Sequence, residues 1–191
     1  MENITIQKSV LVAAYKAGNE EQKQMLEQLC GKEVFETNWR DITSYEKACE
    51  VLGIQAREFK EIGDRPQYMR MANAIQQLLV ICEAMNGNGG WYDSDGYGYF
   101  PVFVLYTKKE MQQYGEAECK RKGIHQLLAA CHANNAGGAG VRCARTLSRG
   151  AYTHMHYGFP LCLNSQEKAA FVGEQFFELF CTCYGLTPKM D

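Results

Sequence analysis

The sequence predicts an α+β fold in which several helices pack on a small, mainly antiparallel sheet. Three observations carry this. Met71, Ile75, Leu78, Leu79, Cys82 and Met85 recur at helical spacing through about five turns. Tyr99–Tyr106 is dense in β-branched and aromatic residues and reads as a strand. Ala169, Val172, Phe176, Phe180 and Cys183 form a second helical stripe near the C-terminus. Each stripe must be covered by other elements, so residues 1–191 are expected to form one cooperative domain.

Taken in order, Thr5–Ala17 is compatible with a helix. Asn19 caps the next one: Glu20 and Glu21 suit its positive end, Met25, Leu26, Leu29 and Cys30 share a face, and Gly31 stops it. Thr43 or Ser44 caps a short helix that ends at Gly53. Pro66 opens the long central helix, where a missing N–H costs nothing. Asp93-Ser94-Asp95-Gly96 reads as a turn. As a calcium loop it would need carboxylates where Trp91 and Val102 stand. Pro101 puts the following strand at a sheet edge. The segment at about 107–156 reads as a variable, basic, insertion-like stretch, with a short apolar run at Ile124–Cys131 and a Gly/Ala/Asn loop at His132–Gly140. Phe159–Leu163 is a second strand candidate. Asn164, with Glu167 three residues on, starts a final helix that ends at Gly185 and Pro188.

The 191 residues are 46% hydrophobic and 22% charged, which excludes wholesale disorder, and the net charge of −2 excludes a broadly polybasic protein. No apolar stretch approaches the roughly 20 residues of a spanning helix, so no membrane association is expected. Val10–Tyr15 is too short for a signal-peptide core and no cleavage site follows, so the expected compartment is the cytoplasm. There the nine cysteines, several at helix-face positions, are expected to be free thiols.

Three stretches carry a resemblance. The first is Gly18-Asn19-Glu20-Glu21 through Leu29-Cys30-Gly31-Lys32-Glu33, with Asp41-Ile42-Thr43-Ser44-Tyr45-Glu46-Lys47-Ala48-Cys49 after it. The second is the long helix running into Asn86-Gly87, then Trp91 and Gly98-Tyr99-Phe100-Pro101. The third is Leu161-Cys162-Leu163-Asn164-Ser165, then Glu167-Lys168-Ala169 and Gly173-Glu174-Gln175-Phe176. Together they resemble a group of small uncharacterised proteins of gut Bacteroidetes, their phages and integrated elements. The resemblance implies a phage or prophage context and a shared α+β core. It implies no reaction and no catalytic residues, and nothing carries over to the segment between the strands.

Charge asymmetry is the sharpest remaining feature. Cys119–Gln166 holds no Asp or Glu but contains Lys120, Arg121, Lys122, Arg142, Arg145 and Arg149, a charge of +6 that leaves −8 on the remainder. All four histidines lie in this stretch. Arg142, Arg145, Arg149, His154 and His156 are therefore the candidate residues for binding nucleic acid or another anion, with Tyr152 and Tyr157 placed to stack on bases. The competing reading is a solvated stretch that compensates an acidic body. His154-x-His156 shares one strand face, and Cys131, His132, Cys143 and Cys162 are near in sequence. No zinc-type ligand pair accompanies them, and Cys181-x-Cys183 is too tight, so no metal is expected. Gly137-Gly138-Ala139-Gly140 lacks the Lys-Ser/Thr of a phosphate loop, and no cofactor is expected.

Two functional classes follow. The first is a non-enzymatic interaction or assembly protein of a phage or mobile element, acting as a homo-oligomer or with a protein partner. The second is an enzyme whose site is assembled from distant segments, or a weak, non-specific nucleic-acid binder acting through segment 119–166.

Overall fold

A computed structural model describes residues 6–35, 38–61, 63–87, 90–130, 137–150 and 161–190. Among these residues seven α-helices accompany a four-stranded, wholly antiparallel sheet in which β1 (Tyr97–Tyr106), β3 (Gly140–Gly150), β2 (His125–Ala130) and β4 (Leu186–Pro188) lie side by side in that order, the predicted α+β architecture. The chain divides into two compact units, Met1–Asp41 and Ile42–Asp191.

The first unit holds α1 (Lys8–Ala17), α2 (Glu20–Cys30) and two single-turn 3-10 helices. Asn19 starts α2 through a reciprocal capping box with Gln22, so two of the N–H groups that a helix start leaves unpaired are satisfied. Tyr15 stacks on Phe35 with ring centroids 4.4 Å apart, and its hydroxyl donates to Glu27. None of the unit's residues whose burial is described is buried.

The second unit is layered. α6 (Gln166–Gln175) packs on β1 (Tyr97–Tyr106) and β3 (Gly140–Gly150). α7 (Phe177–Cys183) packs on β4 (Leu186–Pro188), α4 (Pro66–Asn86) on α7, and α3 (Tyr45–Leu52) on α4. Ser44 caps α3 by accepting from Lys47 N–H, and Gly53 ends it in the left-handed region at φ 68°. The face of α4 that is buried runs through Ala74, Leu78, Ile81, Cys82 and Met85. Ile75 lies beside that face and is 39% exposed, so the stripe predicted from it is rotated by about one residue.

Four other expectations are corrected. The terminal helix is two helices, because Phe176 leaves helical geometry at φ −111°, ψ 29° while the apolar spacing runs on through it. Its cap is Ser165 rather than Asn164, whose side chain is held by α4. Gly185, at φ 69°, turns the chain just after the helix as predicted, but Pro188, read with it as the helix stop, belongs to an edge strand, Leu186–Pro188, paired with β2 (His125–Ala130). The second strand candidate is reduced to a single bridge, Leu163 opposite Tyr99; Phe159 lies outside the described residues. The segment at about 107–156 is framework as far as it is described. It supplies α5 (Lys108–Arg121), β2 and β3, the last two being the inner strands of the sheet. β1 is an edge strand, as Pro101 predicts.

The second and third of the stretches that carry the resemblance meet at one junction. Asn86 donates from Nδ2 to the Cys162 carbonyl at 3.0 Å and accepts from Asn164 N–H at 2.9 Å. Asn164 Nδ2 donates in turn to the carbonyls of Asn86 and Gly90. Tyr99 and Leu163 exchange both backbone hydrogen bonds, at 2.8 and 2.7 Å. A Cβ on Gly98 would lie 3.0 Å from Cys162 Sγ and 3.1 Å from Tyr92 Cε1, so a side chain at this point of β1 would crowd both neighbours.

Candidate functional site

The predicted basic residues fall around β3. Val102 of β1 faces Arg145 while the next residue, Phe103, faces Cys143, so Ala144 is an extra residue forming a β-bulge. The bulge has a consequence for charge. Arg142, Arg145 and Arg149 stand opposite Val104, Val102 and Gly98, alternate positions of β1, and therefore on one face of the ribbon. In an unbulged strand Arg142 would fall on the face opposite the other two. Arg142 Nε donates to the Tyr106 hydroxyl at 2.7 Å, and its guanidinium also reaches the Lys122 carbonyl at 3.4 Å. His154 and His156 lie outside the described residues, as do Tyr152, Tyr157, Cys131 and His132.

Part of the predicted +6 is locally compensated. Arg121 donates to both oxygens of Glu118, and Lys122 lies 3.5 Å from the same carboxylate. Arg121, with Lys122 beside it, holds the Glu118 carboxyl down at about 2. Glu118 immediately precedes the acid-free run, so the charge boundary drawn along the sequence cuts through one ion-pair cluster.

The same region holds a cleft of about 800 Å³ bounded by one face of α5, the start of β2 and the turn before β3. Thr107 and Glu110 form the capping box that starts α5, and Gly115 interrupts the helix at φ 71°, ψ 168°. A Cβ on Gly140 would come within 2.3 Å of Met111 Sδ, so α5 lies directly over the first residue of β3. Lys108, Lys120 and Lys189 line the cleft, with Glu116 as the one carboxylate among the described residues, and His125 stands at its side with its ring 4.7 Å from that of Phe177. Sequence reasoning missed Lys108 and Lys189, which lie outside the acid-free window. Thr107-x-x-Glu110, a capping-box spacing, is the signal that would have placed α5 and hence one wall.

Among the described residues no three His, Cys, Asp or Glu side chains gather as a metal site would need. No described helix is long and apolar enough to cross a membrane. Each of the eight described cysteines carries a free thiol.

A different surface belongs to the first unit. Met25 and Leu29, one turn apart on α2, are 54% and 73% exposed, and Val10 on α1 is 57% exposed. Comparison of the chain with protein-family models, curated proteins and solved structures finds no match.

Proposed function

We propose that this protein works in the cytoplasm as a non-enzymatic interaction or assembly protein of a phage or mobile element. The observation that supports this reading is the bare apolar face of α2. A unit of about 40 residues is at the lower limit for independent folding, and the residues of this one whose burial is described supply no interior to hold it. Covering Met25 and Leu29 with a second copy or a protein partner supplies the missing burial, at roughly 25 cal/mol per Å² of apolar surface. The sequence resemblance supplies the phage context. Size-exclusion chromatography with light scattering tests the self-assembling version. Wild-type protein is expected to exceed the monomer mass at high concentration and Leu29→Glu to return it to the monomer. A wild type that stays strictly monomeric refutes self-assembly.

The alignment of three arginines by the β3 bulge favours a second reading, weak and sequence-independent nucleic-acid binding. Such binding weakens steeply with salt, because neutralised phosphates release counterions. Replacing Arg142, Arg145 and Arg149 should flatten the salt slope by up to about three units. His154 and His156 would strengthen binding below about pH 6.5. No binding to single-stranded or duplex DNA at low salt and pH 6 removes this reading.

A further inference from the structure

We propose that the cleft under α5 is a binding site for a small organic phosphate, independent of the assembly surface on α2. Its volume of about 800 Å³ lies within the range of pockets that enclose small ligands. Among the described residues its charge is one-sided: Lys108, Lys120 and Lys189 come from the first turn of α5, its last turn and the residue after β4, and of the described lining residues Glu116 alone brings a carboxylate. Three cations brought to one concavity from such distant parts of the chain raise the local potential for anions, and the low-dielectric walls focus it.

Two of these cations have no partner of their own. Lys108 and Lys189 make no ion pair among the described residues, and neither does Glu116, so these three charges are not spent on one another. Helix stability does not account for Lys108 either. A cation in the first turn opposes the helix dipole, and the capping there is done by Thr107 and Glu110. The aliphatic stem of Lys108 lies against the Gly137-Gly138 turn, where a Cβ on Gly138 would sit 3.7 Å from Lys108 Cγ, which directs the side chain along the cleft wall. The ammonium groups suit a phosphate, which takes hydrogen bonds from several point donors at once.

The remaining lining selects an organic phosphate over the bare ion. Met111 and Ile124 supply apolar surface for a flat organic body, while Gln112, Gln126 and Glu116 can bond its polar edge. A nucleoside monophosphate has this combination of parts.

The experiment is a calorimetric and NMR titration of the full chain at low salt with adenosine monophosphate, adenosine, inorganic phosphate and a single-stranded oligonucleotide. Saturable binding of the monophosphate is expected, tighter than binding of adenosine or of inorganic phosphate, with resonances of His125 and Lys189 shifted. The double variant Lys108→Gln/Lys189→Gln should bind at least about tenfold more weakly, since each lysine lost removes a charge-assisted hydrogen bond. Lys109→Gln, next in sequence but outside the cleft lining, should bind as wild type does. Absence of saturable monophosphate binding below about 10 mM overturns the proposal. So does an equal loss in Lys109→Gln, or binding of the oligonucleotide alone that the double variant leaves unchanged. Leu29→Glu, which tests assembly, should leave the titration unaltered, so either idea can fail without the other.

Discussion

Replacing Asn86 by alanine should cost about 2–4 kcal/mol, because two groups lose their partners together. Asn86 is 5% exposed and closes a long-range clasp: its Oδ1 accepts from Asn164 N–H, and its Nδ2 donates to the Cys162 carbonyl. The orientation of the amide is fixed by chemistry, since an N–H must face an acceptor and a carbonyl a donor. Alanine leaves the buried Cys162 carbonyl unsatisfied, at about 1–3 kcal/mol, and the half-buried Asn164 N–H, at about 1 kcal/mol. The gain in helix propensity at the last residue of α4 offsets only a few tenths of a kcal/mol. For a chain of this length the loss corresponds to a melting temperature lower by roughly 4–16 °C. Urea denaturation followed by far-UV circular dichroism provides the measurement, with the midpoint expected to fall and the slope to stay constant. Asn86→Asp should also destabilise, because its second oxygen would face the Cys162 carbonyl. A loss below about 0.5 kcal/mol for Asn86→Ala would refute the clasp, since that is the size of an ordinary surface change.

Three further outcomes follow from the packing. A Cβ on Gly173 would lie 2.6 Å from both Cys143 Sγ and Pro101 Cβ, so Gly173→Ala should lower stability by about 1–2 kcal/mol in chemical denaturation despite alanine's better helix propensity; an unchanged or raised midpoint would contradict the α6–sheet packing. Burial pushes the Cys181 thiol up to about 12 and Cys143 and Cys162 up to about 11. Among the described cysteines, alkylation of the native protein near pH 8 should therefore reach half-exposed Cys30 first, and mass spectrometry after unfolding without reductant should count all nine thiols free. Tyr97 N–H, with the Tyr99 hydroxyl and the Asp95 and Gly96 amides, holds the Asp93 carboxyl below its usual range. Its contribution to folding is thus complete above the unfolded-state value near 4 and is lost as pH falls through the lower folded-state value. Stability of Asp93→Asn should vary less over that acidic window, and a profile parallel to wild type would exclude the turn as its source.

Local signals were readable and long-range ones were not. Asn19, Ser44, Gly53 and Pro66 set helix ends through their own backbone chemistry, and each acts where its residue type predicts. α5 was missed because it carries few apolar residues and Gly115 breaks its regularity, so no periodic stripe marks it. β2 buries Leu127 but leaves the adjacent Leu128 58% exposed, and six residues give too short an alternation to separate a strand from a loop. The break at Phe176 is invisible because the spacing of buried residues is helical on both sides of it. The arginines were legible as a charge run, but their common face depends on the extra residue at Ala144, which only strand pairing reveals. The lysines of the cleft were illegible as a group, since they converge from positions 108, 120 and 189.

Both margins of the sheet carry a proline, Pro101 in β1 and Pro188 in β4. Proline offers no N–H to an incoming strand, and Lys189 adds a charge beside the β4 margin. The bridge from Leu163 already occupies part of the outer side of β1. Strands of neighbouring molecules thus find no continuous ladder to extend, and association by edge-to-edge pairing, the route to fibrous aggregates, is obstructed on each side.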